Sequence, residues 1–186
     1  MKYQVEKAIS VLKNGGVILY PTDTVWGLGC DATNDGAVKK LFAIKKRMED
    51  KSVICLVDNF EMIQNYADVF DENIKNLFLN ERPTTVILPQ GKKMAKGVIN
   101  QNGSVAFRIP NTKFCQALLK NLKKPLVSTS ANVSGQKTPS FFKEVGEEIK
   151  KAVDYIVPEE FEENATHQPS RILLLNEAGK VLVIRD

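Results

Sequence analysis

The apolar residues of this chain come in short runs, and the longest clean ones, such as Val53–Val57 and Ile172–Leu175, hold four or five residues. A membrane-crossing helix needs about 20, so the sequence contains no candidate for one. Between the runs the spacing switches back and forth. Val5, Ala8, Ile9 and Leu12 recur at helical intervals and stop at Asn14-Gly15-Gly16, the pattern of a helix with a glycine end. Val17–Tyr20 then reads as a buried strand closed by Pro21, and Pro21–Asp31 as a loop in which Gly27 and Gly29 allow tight backbone paths. Asn34 can cap a second helix carrying Val38, Leu41 and Phe42 on one face. Further strands are predicted at Val53–Val57, Thr84–Leu88, Ser104–Ile109, Leu126–Ser128 and Tyr155–Val157, and further helices around Ile74–Phe78, Phe114–Leu119 and Phe141–Lys151. Ile172–Leu175 and Lys180–Ile184 flank Asn176-Glu177-Ala178-Gly179 as a hairpin. Helices alternate with strands, so the class is α/β. The hairpin demands antiparallel pairing within it, which predicts a mixed, twisted sheet.

With 186 residues and 43% hydrophobic content, such a chain can bury roughly 70% of its unfolded surface. One domain spanning 1–186 needs neither a metal nor disulfides to hold it. Twenty-six basic residues against 22 acidic ones leave a net charge of +4. The basic residues cluster at Lys39–Lys51, Lys92–Lys96 and Lys120–Lys124, which suits either a solvated face or attraction to phosphates. Cys30, Cys55 and Cys115 are far apart with no CxxC, so zinc-knuckle and thioredoxin-type sites are unsupported. Three thiols without an apolar signal segment point to a reducing cytoplasm and away from a membrane. The sequence also lacks GxxxxGK[ST], GxGxxG after the first strand, HExxH and GxSxG, and has one histidine, His167. No redox cofactor and no multi-histidine metal site follow from it.

Four polar clusters border predicted strands. Thr22 and Thr24 lie with Gly27 and Gly29 after the first strand; this is an ordinary loop or a seat for a small polar ligand. Lys45, Lys46, Arg47 and Lys51 follow the second helix, where cations complement the helix dipole or hold phosphate. Arg108 stands on the strand face opposite Val105, Phe107 and Ile109, either solvated or turned inward as an anion clamp. Ser128, Thr129, Ser130, Asn132 and Ser134 crowd one turn, more hydrogen-bonding side chains than a turn requires.

Together, Tyr20–Gly29, Lys45-x-Arg47 with Lys51, and Ser128–Gly135 resemble the YrdC-like family of L-threonylcarbamoyl-AMP synthases, in the family's order and separation. The resemblance runs from the first helix to the final hairpin. It implies a twisted mixed sheet flanked by helices around a concave basic cavity. It further implies a nucleotidyltransferase that makes threonylcarbamoyl-AMP and pyrophosphate from L-threonine, bicarbonate and ATP, with Mg2+ on the ATP phosphates. Downstream proteins then carry the threonylcarbamoyl group to the adenosine beside the anticodon of tRNA. By the same resemblance, Lys45 and Arg47 are the catalytic cations, and with Lys51 they hold the triphosphate. Ser130 and Asn132 bind ATP, with Ser104 and Thr138 as further contacts. Thr22, Arg108, Ser128 and Ser170 receive L-threonine, its carboxylate on Arg108.

The chain departs from the family pattern at Met48, where proline is common, and at Asn80–Thr85, where only Pro83 and Thr85 of the usual segment remain. Trp26 replaces a common Tyr or Phe, and Arg171 follows Ser170 in place of Thr. The chain ends after the hairpin, which predicts the bare catalytic domain. Two other readings stand beside the synthase. One is a YrdC-like paralogue that uses its basic surface for double-stranded RNA or tRNA, or in ribosome maturation. The other is carbamoyl-adenylate chemistry on a different acceptor, whose known relatives carry additional domains.

Overall fold

The structure is a computed structural model and describes residues 1–46, 52–69, 72–176 and 178–186. Helix α1 (Lys2–Lys13) precedes strands β1 (Ile18–Tyr20) and β2 (Gly27–Asp31). Helix α2 (Asp35–Ile44), strand β3 (Ile54–Leu56) and the short helices α3 (Phe60–Gln64) and α4 (Glu72–Lys75) follow. Next come β4 (Thr84–Leu88), β5 (Val105–Arg108), α5 (Lys113–Leu122) and β6 (Leu126–Ser130). The chain closes with α6 (Glu147–Ala152), β7 (Tyr155–Ile156), β8 (Arg171–Leu175) and β9 (Val181–Arg185).

These strands form one mixed sheet in the order β7-β1-β2-β6-β3-β5-β4-β8-β9. Three pairs are parallel (β1 with β7, β3 with β5, β4 with β8) and the other five antiparallel. The expected α/β class and mixed sheet are therefore present. Period two divides the side chains between two layers. Leu19, Leu28, Cys55, Phe107 and Val127 join α2 residues Val38, Leu41 and Phe42 on one face. Ile18, Tyr20, Leu56 and Leu126 meet Val5, Ala8 and Leu12 of α1 and Phe114, Leu118 and Leu122 of α5 on the other. The α1/α5 layer covers this second face only in part, and the remainder is concave.

Local signals explain most boundaries. The Asn34 side chain accepts from Ala37 N, Asn59 from Met62 N and Thr112 from Cys115 N, capping α2, α3 and α5. Three expectations are corrected. The second half of the supposed loop Pro21–Asp31 is β2, buried at every position. Its glycines hide the strand because side chains there have no room: a Cβ on Gly29 would lie 2.8 Å from Tyr20 Cε1. The single helix expected over Phe141–Lys151 is a 3-10 turn (Phe142–Glu144) and α6, separated by extended backbone at Val145 and Gly146. The helix expected around Ile74–Phe78 is reduced to the one turn of α4.

Candidate functional site

The uncovered part of the α1/α5 face is a cavity of about 300 Å3. Its floor is set by strand register. Gly29, Ser128, Ile54, Ala106 and Ile87 stand side by side across β2, β6, β3, β5 and β4. Small side chains at several of these positions leave the floor low, and the last four residues line the cavity. Period two then places Ser130 and Arg108 on the same face as Ser128 and Ala106. The walls come from the β1–β2 loop (Thr22, Thr24), from Thr138, and from Ser170 and Arg185.

One end of the cavity carries a buried polar cluster. Arg108 is 4% exposed; its Nη1 donates to Thr24 Oγ1 at 2.9 Å and its Nη2 lies 3.3 Å from Asp23 Oδ1. Its Nε has no acceptor among the described residues. Thr22 Oγ1 gives its one hydrogen to Val25 O (2.8 Å), so in the 2.9 Å contact between the two threonines Thr24 is the donor. Thr22 also accepts from Thr24 N. It lines the cavity, and its hydroxyl is engaged by its own turn. Ser128 differs. Tyr20 Oη donates to Ser128 Oγ at 2.7 Å, which leaves the Ser128 hydrogen for a ligand. Burial pushes the Tyr20 phenol well above its usual range, so it remains a donor. Ser170 Oγ meets Thr85 Oγ1 at 2.8 Å, so the Thr85 kept from the family pattern belongs to the cavity wall.

Arg185 escaped the sequence reading. It closes β9, the last strand, and its Nε and Nη2 hold Ser170 O at 3.0 and 2.6 Å. Partial burial and the nearby positive charge of Arg108 lower its pKa. An arginine ending the final strand after a serine that ends a loop was the available signal.

The residues expected at ATP lie partly on the cavity wall and partly behind it. Ser130 and Thr138 line the cavity. Ser104 sits behind it: Asn100 Nδ2 donates to Ser104 Oγ at 3.0 Å, and Asn100 Oδ1 accepts from the lining residue Ser52 at 2.7 Å. Lys45 is 2% exposed, and its Nζ points into the Ser130–Asn132 turn, donating to Asn132 O at 2.7 Å and to Ser130 O. Among the described residues its amine lies against these carbonyls of the turn. Arg47 and Lys51 lie outside the described residues. The cysteine thiols are all buried. Burial pushes Cys115 up to about 12 and raises Cys30 and Cys55 well above the usual thiol range, so none is a ready nucleophile.

Residues 10–186 match the Sua5/YciO/YrdC family model, described as telomere recombination. The chain belongs to the Sua5/YciO/YrdC family. Among its Sua5/YciO/YrdC relatives, a protein of Pseudoalteromonas translucida named threonylcarbamoyl-AMP synthase is 36% identical over 172 residues, covering 90% of this chain and 91% of the relative. One from Vibrio vulnificus with the same name is 32% identical over 176 residues, covering 92% of this chain and 94% of the relative. The fold matches P. abyssi Sua5 solved with L-threonine at a TM-score of 0.88 and 24% identity, over 100% of this chain and 54% of that one. It also matches E. coli YciO at 0.81 and 24%, over 100% and 90%. The chain thus spans about half the length of P. abyssi Sua5, and nearly all of the two named synthases.

Proposed function

We propose that this Sua5/YciO/YrdC domain is a threonylcarbamoyl-AMP synthase, a transferase that joins L-threonine, bicarbonate and ATP into threonylcarbamoyl-AMP and releases pyrophosphate. The observation that carries the reading is the cavity, where Thr22, Arg108, Ser128, Ser130, Thr138 and Ser170 converge from separate segments of the chain. The names of the relatives at 32–36% identity support it.

The chemistry suits these side chains. The threonine amine forms a bond to the carbon of CO2, which bicarbonate supplies by losing hydroxide, and the amine proton joins that hydroxide as water, leaving a carbamate. A carbamate oxygen then bonds to the α-phosphorus of ATP, and the bond to the β-phosphate oxygen breaks with its electron pair on pyrophosphate. The attacking oxygen is already anionic, so no activated serine or cysteine is required. Such a transfer depends on positioning and charge stabilisation. Arg108 takes the threonine carboxylate, which would supply the acceptor that its Nε lacks. Ser128, fed by Tyr20, donates to a substrate oxygen. Ser130 and Thr138 face ATP, and Arg47 and Lys51 attend the triphosphate. Among the described residues no trio of His, Cys, Asp or Glu converges on a metal position. Mg2+ would enter on the ATP phosphates, where it keeps much of its water.

Transfer of the product to tRNA by partner proteins, in the cytoplasm, completes the proposal. Among the described residues no helix is long and apolar enough to cross a membrane. The test is pyrophosphate release with ATP and Mg2+, with and without L-threonine and bicarbonate, beside Ser128→Ala and Arg108→Lys. Release should require both co-substrates and fall in both variants. Folded protein that binds ATP but shows no threonine-dependent release would refute the synthase and favour an RNA-binding role.

A further inference from the structure

Lys45 is the one buried lysine among the described residues. Its side chain meets the Ser130–Asn132 turn and its backbone meets Ser134 just after it. Its carbonyl accepts from Ser134 N at 2.8 Å. Its Nζ donates to Ser130 O and to Asn132 O (2.7 Å) and lies 3.5 Å from Asn132 Oδ1. A lysine amine has three donors and no acceptor, and among the described residues the oxygens around it belong to this turn.

The other motif side chains also serve the turn. Ser130 Oγ donates to Asn132 Oδ1, and Asn132 Nδ2 donates to Val133 O (3.1 Å) and Gln136 O (2.7 Å). Ala131 N donates to Trp26 O at 2.9 Å, which fastens the turn to the start of β2. What the turn presents to the cavity is Ser130, with Thr129 and Thr138 beside it.

We propose that Lys45 is a positioning residue: it fixes the Ser130–Asn132 turn in the shape that meets ATP and does not itself touch the triphosphate. The inference rests on the synthase reading for its ligand and on the geometry of the turn for its mechanism. The two modes of action differ in what phosphate number does. A direct phosphate contact is lost in proportion to the phosphates present. A displaced turn weakens every nucleotide that the turn contacts.

The experiment measures binding of AMP, ADP and ATP by calorimetry to the wild type and to Lys45→Met, which keeps the length of the side chain and removes its donors. The expected result is a common rise in all three dissociation constants, by a factor of about ten. A factor that grows with each phosphate overturns the proposal, and so do unchanged affinities for all three. A second measurement needs no variant. The wild type is treated with a small lysine-acylating reagent, with and without ATP and Mg2+, and the sites are read by mass spectrometry. Lys45 should remain unlabelled in both samples while exposed Lys120 is labelled. Labelling of Lys45 in the free protein that ATP suppresses overturns the proposal. If the wild type binds none of the three nucleotides, the synthase reading fails, while the labelling still decides whether Lys45 is enclosed by the turn.

Discussion

Replacing Arg108 by methionine tests the buried charge pair at the end of the cavity. The Arg108 and Asp23 side chains are 4% and 5% exposed and approach to 3.3 Å. At an effective dielectric constant near 20, two unit charges at that separation attract by about 5 kcal/mol. Desolvation offsets much of this in the intact pair. Removing only the arginine leaves Asp23 buried without its cation, and breaking such a pair costs roughly 3–5 kcal/mol. In a domain of this size each kcal/mol moves the melting temperature by about 2–4 °C, so Arg108→Met should melt at least several degrees lower. The double variant Arg108→Met/Asp23→Asn removes both charges, and the new amide oxygen can still accept from Asn111 N as Asp23 Oδ2 does. It should recover most of the loss in urea denaturation, while L-threonine no longer raises the melting temperature of either variant. A double variant as unstable as the sum of the two single ones would refute the argument, since contacting residues must couple.

Two further outcomes are expected from the packing and the charges. Gly29→Ala puts a Cβ 2.8 Å from Tyr20 Cε1 and 3.2 Å from Val127 O; overpacking of this kind costs about 1–3 kcal/mol, and an unchanged urea midpoint would contradict the close approach of β2 to Tyr20. Burial alone would raise the Asp154 carboxyl, but the Lys40 hydrogen bond and charge and the Val17 amide outweigh it and hold the carboxyl below its usual value. A lowered folded pKa gives stability that is present above the unfolded value, about 3.9, and lost as pH falls through the folded one. The midpoint difference between wild type and Asp154→Asn should therefore shrink as the pH drops from about 5 toward 2; a difference that grows on acidification would reverse the sign.

The sheet was readable wherever a strand carried its own apolar side chains. Ile18–Tyr20, Thr84–Leu88 and Arg171–Leu175 announce themselves because their burial is written in branched and aromatic residues. β2 was not readable, because its burial comes from a neighbour: the Tyr20 ring occupies the space that a side chain on Gly29 would need. A strand whose inner face is filled by its partner has no periodicity of its own to detect. The Phe141–Lys151 segment failed in the opposite way. It has helical composition, but Phe142 packs on Trp26 with ring centroids 4.7 Å apart, and the chain breaks at Gly146 to reach that contact before α6 begins. Tertiary contact there outweighs propensity.

The candidate site shows a similar division between which residues matter and what they do. Ser128, Ser130, Thr138, Arg108 and Ser170, named from separate motifs, line one cavity. Residue type alone could not separate a hydroxyl that faces a ligand from one that closes its own turn. Thr22 and Ser128 are both small hydroxyl residues beside a strand end. Thr22 spends its hydrogen on Val25 O, whereas Ser128 receives a hydrogen from Tyr20 and keeps its own. Lys45 extends the point to charge. A cation after a helix, near a phosphate-binding motif, reads as a phosphate ligand, and the sequence gives no sign that its Nζ also lies against Ser130 O and Asn132 O. Two motifs separated by 85 residues in sequence then become one structural unit, with the lysine of the first holding the backbone of the second.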